Sequence, residues 1–351
     1  MITLPAPLRA FASDNAAGVH PSVMSALQAA NSGHALAYGS DHWTAEVDDR
    51  MRDLFGAQAQ AFLVWGGTGA NVMALATMLG PAQAVLCTNW SHINVDETGA
   101  PERILGAKLI DLDCPDGKLV PFQIEQQAHV LGNMHHAQPG VVSLTQSTEL
   151  GTTYSATEVA ALCETAHRMG MAVHMDGARL ANAVAAAGGT LAALRAMTID
   201  AGVDVLTFGA TKNGMMYGEA VVYLTGRFTD AAPYVRKQVT QLPSKMRFVA
   251  AQFNALLTED LWVSLAAHAN SMAMRLYERT RDIPGVVYDA PPAVNAVFPH
   301  LPPETIEELR DWCFFWDWNV STHQVRWMTA WDTTTDDVDR FVDGVRQLLD
   351  R

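Results

Sequence analysis

Seven short apolar runs spaced through the first two-thirds of this 351-residue chain constrain its fold more than any other feature. They are AFLVW (61–65), AVLCT (84–88), KLIDL (108–112), GVVSLT (140–145), MAVHMD (171–176), VDVLTF (203–208) and EAVVYL (219–224). Several are apolar without alternation, the pattern of strands covered on both faces, as in a mostly parallel sheet. Between them lie ANVMALATML (70–79), TEVAALCETAHRMG (157–170) and GTLAALRAMTIDAG (189–202), which have helical length and spacing. The last two end in glycine, a favoured helix stop. Strand and helix in alternation predict an α/β open sheet.

After about residue 226 the texture changes. Asp230 to Arg281 is almost wholly helix-compatible, broken by Pro233 and Pro243. VVYDAPPAVNAVFPHL, NVSTHQVRWMTAW and an amphipathic stretch over about 335–350 then predict a small α+β domain.

Composition removes several classes of function. The chain is 49% hydrophobic and 17% charged, a globular profile large enough to hold a core without disulfides or structural metal. Cys87, Cys114, Cys163 and Cys313 form no CxxC pair and read as buried thiols of a reducing compartment. A net charge of −14 repels nucleic-acid backbones, and no basic stripe offsets it. No run approaches the ~20 apolar residues of a membrane span. The N-terminus lacks a cationic start followed by a long apolar run, so no secretory signal is expected. A cytoplasmic protein that binds neither nucleic acid nor membrane is the expectation.

Chemistry-bearing residues cluster after the strand runs. Lys212, in VDVLTFGATKNGMMYG (203–218), directly follows one. Ligands of open α/β sheets bind beyond the carboxyl ends of strands, and a lysine there, beside Gly214, suits a Schiff-base nucleophile. A solvated loop lysine would look the same in isolation. Asp176 ends the run before and Arg179 opens the helix after it. Such a carboxylate can pair with a protonated pyridine nitrogen, or merely cap the helix. Gly66, Gly67, Thr68 and Gly69 form a turn entering a helix, a ready phosphate site, although neither nucleotide fingerprint is present. His92 could lie on a cofactor ring or carry protons. His135 and His136 are adjacent, so at most one faces a site in an extended segment. No partner completes a metal site around them, and no metal is expected.

Taken together, these residues resemble the threonine aldolase family of fold-type I pyridoxal-phosphate (PLP) enzymes, and within it the low-specificity L-threonine aldolases. The likeness runs over nearly the whole chain. It rests on FASDNAAGVHP, GHALAYGSDHWTAEV (33–47), WGGTGAN, SHINVDETGA, VVSLTQSTELGTTYS (141–155), HMDGARLANA, FGATKNG, VTQLPSKMRF (239–248) and VRWMTAWDTT (325–334). Their order and spacing are far more specific than any single block.

The resemblance implies a fold-type I PLP-binding large domain with a mostly parallel sheet, expected at 1–240 with residues 1–20 contributing to the site. A connecting helix and small α+β C-terminal domain would occupy 241–351. It implies that Lys212 bonds covalently to PLP, that Asp176 pairs with the pyridine nitrogen, and that His92 stacks on the ring. Gly67, Thr68, Gly69 and Thr211 fall among the cofactor-binding residues, with GGT here where the family more often has SGT. Arg179 is expected near the ring hydroxyl and the substrate carboxylate, and Arg326 clamps that carboxylate, a bidentate role lysine fills poorly. Arg247 matches an arginine near the subunit boundary, and Tyr38 a tyrosine approaching a site at a dimer interface. His135 fits a second active-site histidine, with His136 as fallback. The implied reaction is retro-aldol cleavage of β-hydroxy-α-amino acids to glycine and an aldehyde by a homodimer or homotetramer. The base, His92, His135 or water, is left open. Rival readings are a phenylserine aldolase, a β-eliminating lyase, an aminotransferase, or a non-catalytic ligand sensor of the same fold.

Overall fold

The computed structural model describes residues 2–350. All seven apolar runs are strands: β1 (Gln60–Val64), β2 (Gln83–Thr88), β3 (Lys108–Leu112), β4 (Gln138–Thr145), β5 (Ala172–Gly177), β6 (Val205–Phe208) and β7 (Glu219–Tyr223). They form one sheet in the order β1-β7-β6-β5-β4-β2-β3. Neighbours from β3 to β6 are parallel, and β7 runs antiparallel to both β6 and β1. With β7 the single reversal, β1 points the same way as the other five. The carboxyl ends of six strands therefore meet along one edge, and β7 begins there at Glu219, opposite Val64.

Both faces of the sheet are covered, which is why its central strands carry no polar alternation: β5, β6 and β7 are buried at every position. Helix α1 (Gly67–Met78) follows β1, and its small Ala70 and Ala74 bury against the sheet together with Met73. Helix α2 (Ala156–Arg168) starts at a capping box in which the Ser155 hydroxyl accepts from Glu158 N–H and the Glu158 carboxylate accepts from Ser155 N–H. Helix α3 (Leu180–Ala186) follows β5. The helix expected over 189–202 is shorter, Leu191–Ala196. The Thr198 hydroxyl donates back to Leu194 O, and Thr198 and Asp200 N–H both donate to Arg195 O, turning the chain early. A threonine hydroxyl that bonds the preceding turn competes with helix continuation.

Helix α4 (Met246–Leu257) packs wholly into the large core, while α5 (Leu261–Thr280) spans two cores. Its Trp262, Leu265 and Ala266 belong to the large one, and its Met272, Ala273 and Leu276 to a second. That second core fills the small C-terminal α+β domain, whose strands β8 (Val287–Tyr288), β9 (Ala296–Val297), β10 (Pro299–His300), β11 (Trp316–Asn319) and β12 (Gln324–Met328) pair antiparallel. Helices α6 (Pro303–Trp312) and α7 (Thr335–Leu349) cover them.

The N-terminal segment joins the two cores. Phe11 is buried against Phe341 at a ring separation of 4.5 Å, and its carbonyl accepts from Met328 N–H. Further on, Gly18 O accepts from the Trp331 indole, and His20 N–H donates to Gly214 O, in the loop that carries Lys212. All four cysteines are buried free thiols. Among the described residues no helix is long and apolar enough to cross a membrane.

Phe341 contacts Phe11, Phe315 and Trp327 by their rings. Phe341→Ala is expected to destabilise the C-terminal core by ~3–5 kcal/mol, read as a lowered urea midpoint.

Candidate active site

The carboxyl edge of the sheet gathers the polar side chains. Gly67, His92, Glu149, Asp176, Arg179 and Lys212 line one narrow cleft. Each arrives on a connection just beyond a strand: Gly67 after β1, His92 after β2, Glu149 after β4, Asp176 and Arg179 at the end of β5, and Lys212 after β6. A roomier surface cavity lined by Asp48, Arg52, Gln58, Gln60 and Phe62 lies at the opposite, amino-terminal end of β1.

Local sequence explains why Lys212 sits where it does. The 3-10 turn Thr211–Asn213 ends at Gly214, whose φ of 99° strains any residue with a side chain. The turn is pinned on both flanks: the Thr211 hydroxyl donates to Gly218 O and the Asn213 amide to Trp262 O. At the other end, Gly209 lies against the Ala178 backbone so closely that an added Cβ would meet it at 2.5 Å. The lysine loop and the Asp176–Arg179 loop are thereby packed directly together.

Asp176 is buried and ionised. Burial opposes its charge, but Ala178 N–H donates to Oδ1 at 3.0 Å and the Asn71 amide to Oδ2 at 2.8 Å, holding its pKa below the usual carboxylate range. The same Asn71 amide donates to Glu97 Oε1, and Glu97 Oε1 bonds His92 Nδ1 at 2.9 Å. That bond raises the His92 pKa against its burial, with help from the Asp176 charge. Behind Asn71, its Oδ1 accepts from the Thr207 hydroxyl. Since Thr207 spends its proton there, it accepts from His174 Nε2, and His174 Nδ1 then accepts from Ser143. Burial holds His174 neutral, its pKa pulled down to about 4.

Lys212 is desolvated, and Arg179 nearby adds repulsion; both lower its pKa. Arg179 is itself locked, with Nε and Nη2 donating to the two oxygens of Asp14 at 2.7 and 2.9 Å. Burial disfavours the Asp14 carboxylate, yet Arg179 and, more weakly, Lys212 hold its pKa down to about 2. Arg326, on β12, lies over the Trp318 ring, with burial and the Arg179 charge pulling its pKa down to about 10. Nη2 makes a bond of 3.3 Å to Ala12 O, and its buried Nε has no partner.

This donor set fits PLP. The buried atoms Glu149 Oε2, Glu97 Oε2 and Ser147 Oγ have no partner within the chain, although buried polar groups are nearly always paired. A desolvated lysine and an ionised buried aspartate meet in the same space. At the cleft mouth, nothing lies within 4 Å of a Cβ built on Gly66 or Gly67, so the α1 N-terminus is open to an anion.

The cleft unites Lys212, Asp176, Arg179, His92 and Gly67. Thr68 is in the first turn of α1, and Gly69 packs under the Gln241 side chain. Tyr38 and Arg247 lie outside the cleft of their own chain, on the surface. Tyr38 N–H donates to Ser244 O, and Arg247 Nη1 to the carbonyls of Ser32 and Gly33. His135 and the fallback His136 do not line the cleft of their own chain. His135 and His136 are exposed and precede β4, whose eight residues at about 3.3 Å each put roughly 25 Å between them and the cleft. In a parallel strand the residues before it are at the wrong end of the sheet. Asp14, Asn71, Glu97 and Glu149 were not singled out by sequence reasoning, although each falls inside a quoted block (FASDNAAGVHP, WGGTGAN, SHINVDETGA, VVSLTQSTELGTTYS).

Comparison with known proteins accords with this geometry. The family model described as β-eliminating lyase matches residues 10–302. The chain is similar to the low specificity L-threonine aldolase of Pseudomonas sp., 39% identical with 97% of each chain covered. The protein of that name from Pseudomonas aeruginosa is 40% identical over the same shares. Among solved structures, Leishmania major threonine aldolase superposes with a TM-score of 0.89 at 31% identity, covering 97% of this chain and 99% of that one.

Because folding lowers the Asp14 pKa from 3.8 to about 2, its contribution is complete above the ordinary carboxylate range and is lost as pH falls through about 2. Asp14→Asn should therefore cost about 2 kcal/mol near neutral pH and progressively less toward pH 2, measured by denaturant unfolding across pH.

Proposed function

The chain belongs to the β-eliminating lyase family, and within it to the threonine aldolases; on that premise we propose that it cleaves the Cα–Cβ bond of L-threonine, L-allo-threonine and related β-hydroxy-α-amino acids, giving glycine and an aldehyde. The observation that carries the reading is the meeting of Lys212 with ionised Asp176 in one cleft flanked by Arg179.

PLP is the proposed cofactor, and bound here it supplies a cationic ring that withdraws the electron pair of the breaking bond. Lys212 would hold it through its amine, which desolvation keeps closer to the neutral, nucleophilic form. Asp176 retains lone pairs beyond its two hydrogen bonds and would accept a hydrogen bond from the ring N–H, keeping that nitrogen protonated. His92 would cover one ring face, fixed by Glu97. The N-terminal turn of α1, Gly67 to Gly69 with Thr68, would receive the phosphate, and Thr211 braces the lysine loop.

Arg326 has unspent donors and would bind the substrate carboxylate with Arg179, whose free edge is set by Asp14. Gripping the carboxylate orients the Cα–Cβ bond for cleavage, and positioning of this kind contributes several kcal/mol. We further read the protein as a cytoplasmic homodimer or homotetramer, in which Tyr38 and Arg247 serve a site at the subunit boundary. In support, Arg247 lines a surface cavity with exposed Leu36 and with Ser244, whose carbonyl accepts from Tyr38 N–H.

Incubation with PLP and L-threonine is expected to release acetaldehyde and glycine; pyruvate or an α-keto acid would point to another enzyme of this fold. Lys212→Ala should abolish both the bound-cofactor absorbance and the cleavage, and retention of both would remove Lys212 from the site. Arg326→Ala should raise KM for L-threonine ~10–100-fold, the equivalent of ~1.5–3 kcal/mol for hydrogen bonds to a charged group, in steady-state assays.

A further inference from the structure

We propose that Glu149 is the catalytic base that takes the proton of the substrate's β-hydroxyl. This rests on the aldol-cleavage reading and assigns the step that reading leaves without a residue.

Glu149 follows β4 and opens on the cleft shared with Lys212 and Asp176. One of its oxygens is fixed: Oε1 accepts from His92 N–H at 2.7 Å and from the Thr145 hydroxyl at 3.1 Å. The other, Oε2, is buried and accepts nothing from the chain. An anchored carboxyl with one oxygen withheld from protein donors is suited to a donor that arrives with the ligand, and the β-hydroxyl is such a donor.

The alternatives are occupied or absent. His92 Nδ1 is bonded to Glu97, which raises the ring's pKa and disfavours the neutral, proton-accepting form. Glu97 also lines the cleft and has a free oxygen, but its Oε1 is shared between His92 Nδ1 and the Asn71 amide, which commits this carboxylate to holding the imidazole and the Asp176 partner. His135 is at the far end of the sheet. Charged and titratable groups facing Glu149 come from every connection around it: Asp176 and Arg179 after β5, Lys212 after β6, His92 and Glu97 after β2, Cys87 within β2, and Tyr154 beyond β4. Burial first, and the Asp176 charge second, push the Glu149 pKa up to about 7. A base matched to neutral pH transfers protons most effectively there.

The step balances. The β-O–H bond breaks and its proton passes to Glu149 Oε2. The oxygen's electron pair forms the aldehyde C=O, and the Cα–Cβ pair remains on Cα, where a proton added afterwards completes glycine.

Glu149→Gln preserves shape and the Oε1 acceptor but puts an N–H donor where the free acceptor was. In the holoenzyme, kcat for L-threonine should fall ~10²–10⁴-fold with little change in KM. The acid limb of the wild-type rate profile, set by the raised Glu149 pKa, should vanish in the variant, and Glu149→Asp should retain the limb at a lower rate. Infrared titration of the cofactor-free protein should show one fewer carboxyl ionising near neutrality in Glu149→Gln, leaving that of Glu219, which burial also pushes up to about 7. Unchanged kcat, an acid limb that survives in Glu149→Gln, or an unchanged infrared titration would overturn the assignment while leaving the aldolase reading intact. Failure of the wild-type protein to release acetaldehyde from L-threonine would overturn both.

Discussion

An ionised carboxylate buried at the end of a sheet strand is the constraint around which the rest is arranged. Removing a charge such as Asp176 from water carries a penalty of several kcal/mol unless hydrogen bonds and charges replace the solvent. Here Ala178 N–H and the Asn71 amide replace it directly. Asn71 is held in turn by a buried chain, Ser143 to His174 to Thr207 to Asn71. That chain crosses β4, β5 and β6 within the sheet and ends on α1. The alignment of one carboxylate is thus built into strand register, with His174 opposite Val205 and Asp176 opposite Thr207. The network also extends outward through Glu97 to His92. One amide therefore orients both the anion proposed to pair with the ring nitrogen and the imidazole proposed to cover the ring.

Charge balance in the cleft depends on a segment far away in sequence. Arg179, Arg326 and Lys212 bring cations together, and burial first, with repulsion from Arg179 second, lowers the pKa of Lys212 and Arg326. Asp14 is the buried anion set against them, and it arrives on the strap that crosses from the C-terminal core to the lysine loop. Phe11 anchors that strap in one core, while His20 ties it to Gly214 beside the other. Displacing the small domain would therefore move Asp14 and, through the bidentate bond, Arg179. Since β12 carries Arg326 in the same small domain, both proposed carboxylate-binding groups respond to how the two cores pack.

Much of the architecture and half of the cleft were readable from the order of residues. Apolar runs without alternation identify strands covered on both faces, and all seven are strands because burial of that kind is a local property of composition. Lys212, Asp176, Arg179, His92 and Gly67 were legible because chemistry in such a sheet sits just past strand ends. The helix expected over 189–202 was too long because one threonine hydroxyl turned back on its own backbone. His135 lies away from the cleft of its own chain for a different reason. Counting residues from β4 finds the right strand but not which of its ends faces the cleft, a matter of direction that spacing does not contain.

Asp14, Asn71, Glu97 and Glu149 needed the folded chain. Each is an ordinary polar residue along the sequence, and its importance lies in a partner 57 to 165 residues away (Glu149 with His92, Asn71 with Asp176, Asp14 with Arg179) or, for Glu97, in a second contact to Asn71. The primary structure by itself determined the strand and helix types and the connections that bear reactive groups, because periodicity and strand-end placement are encoded within short windows. Only the tertiary structure decided which carboxyls are ionised, which oxygens stay unpaired and which histidine reaches the cleft. Those properties come from desolvation and close approach between segments that the chain order keeps apart.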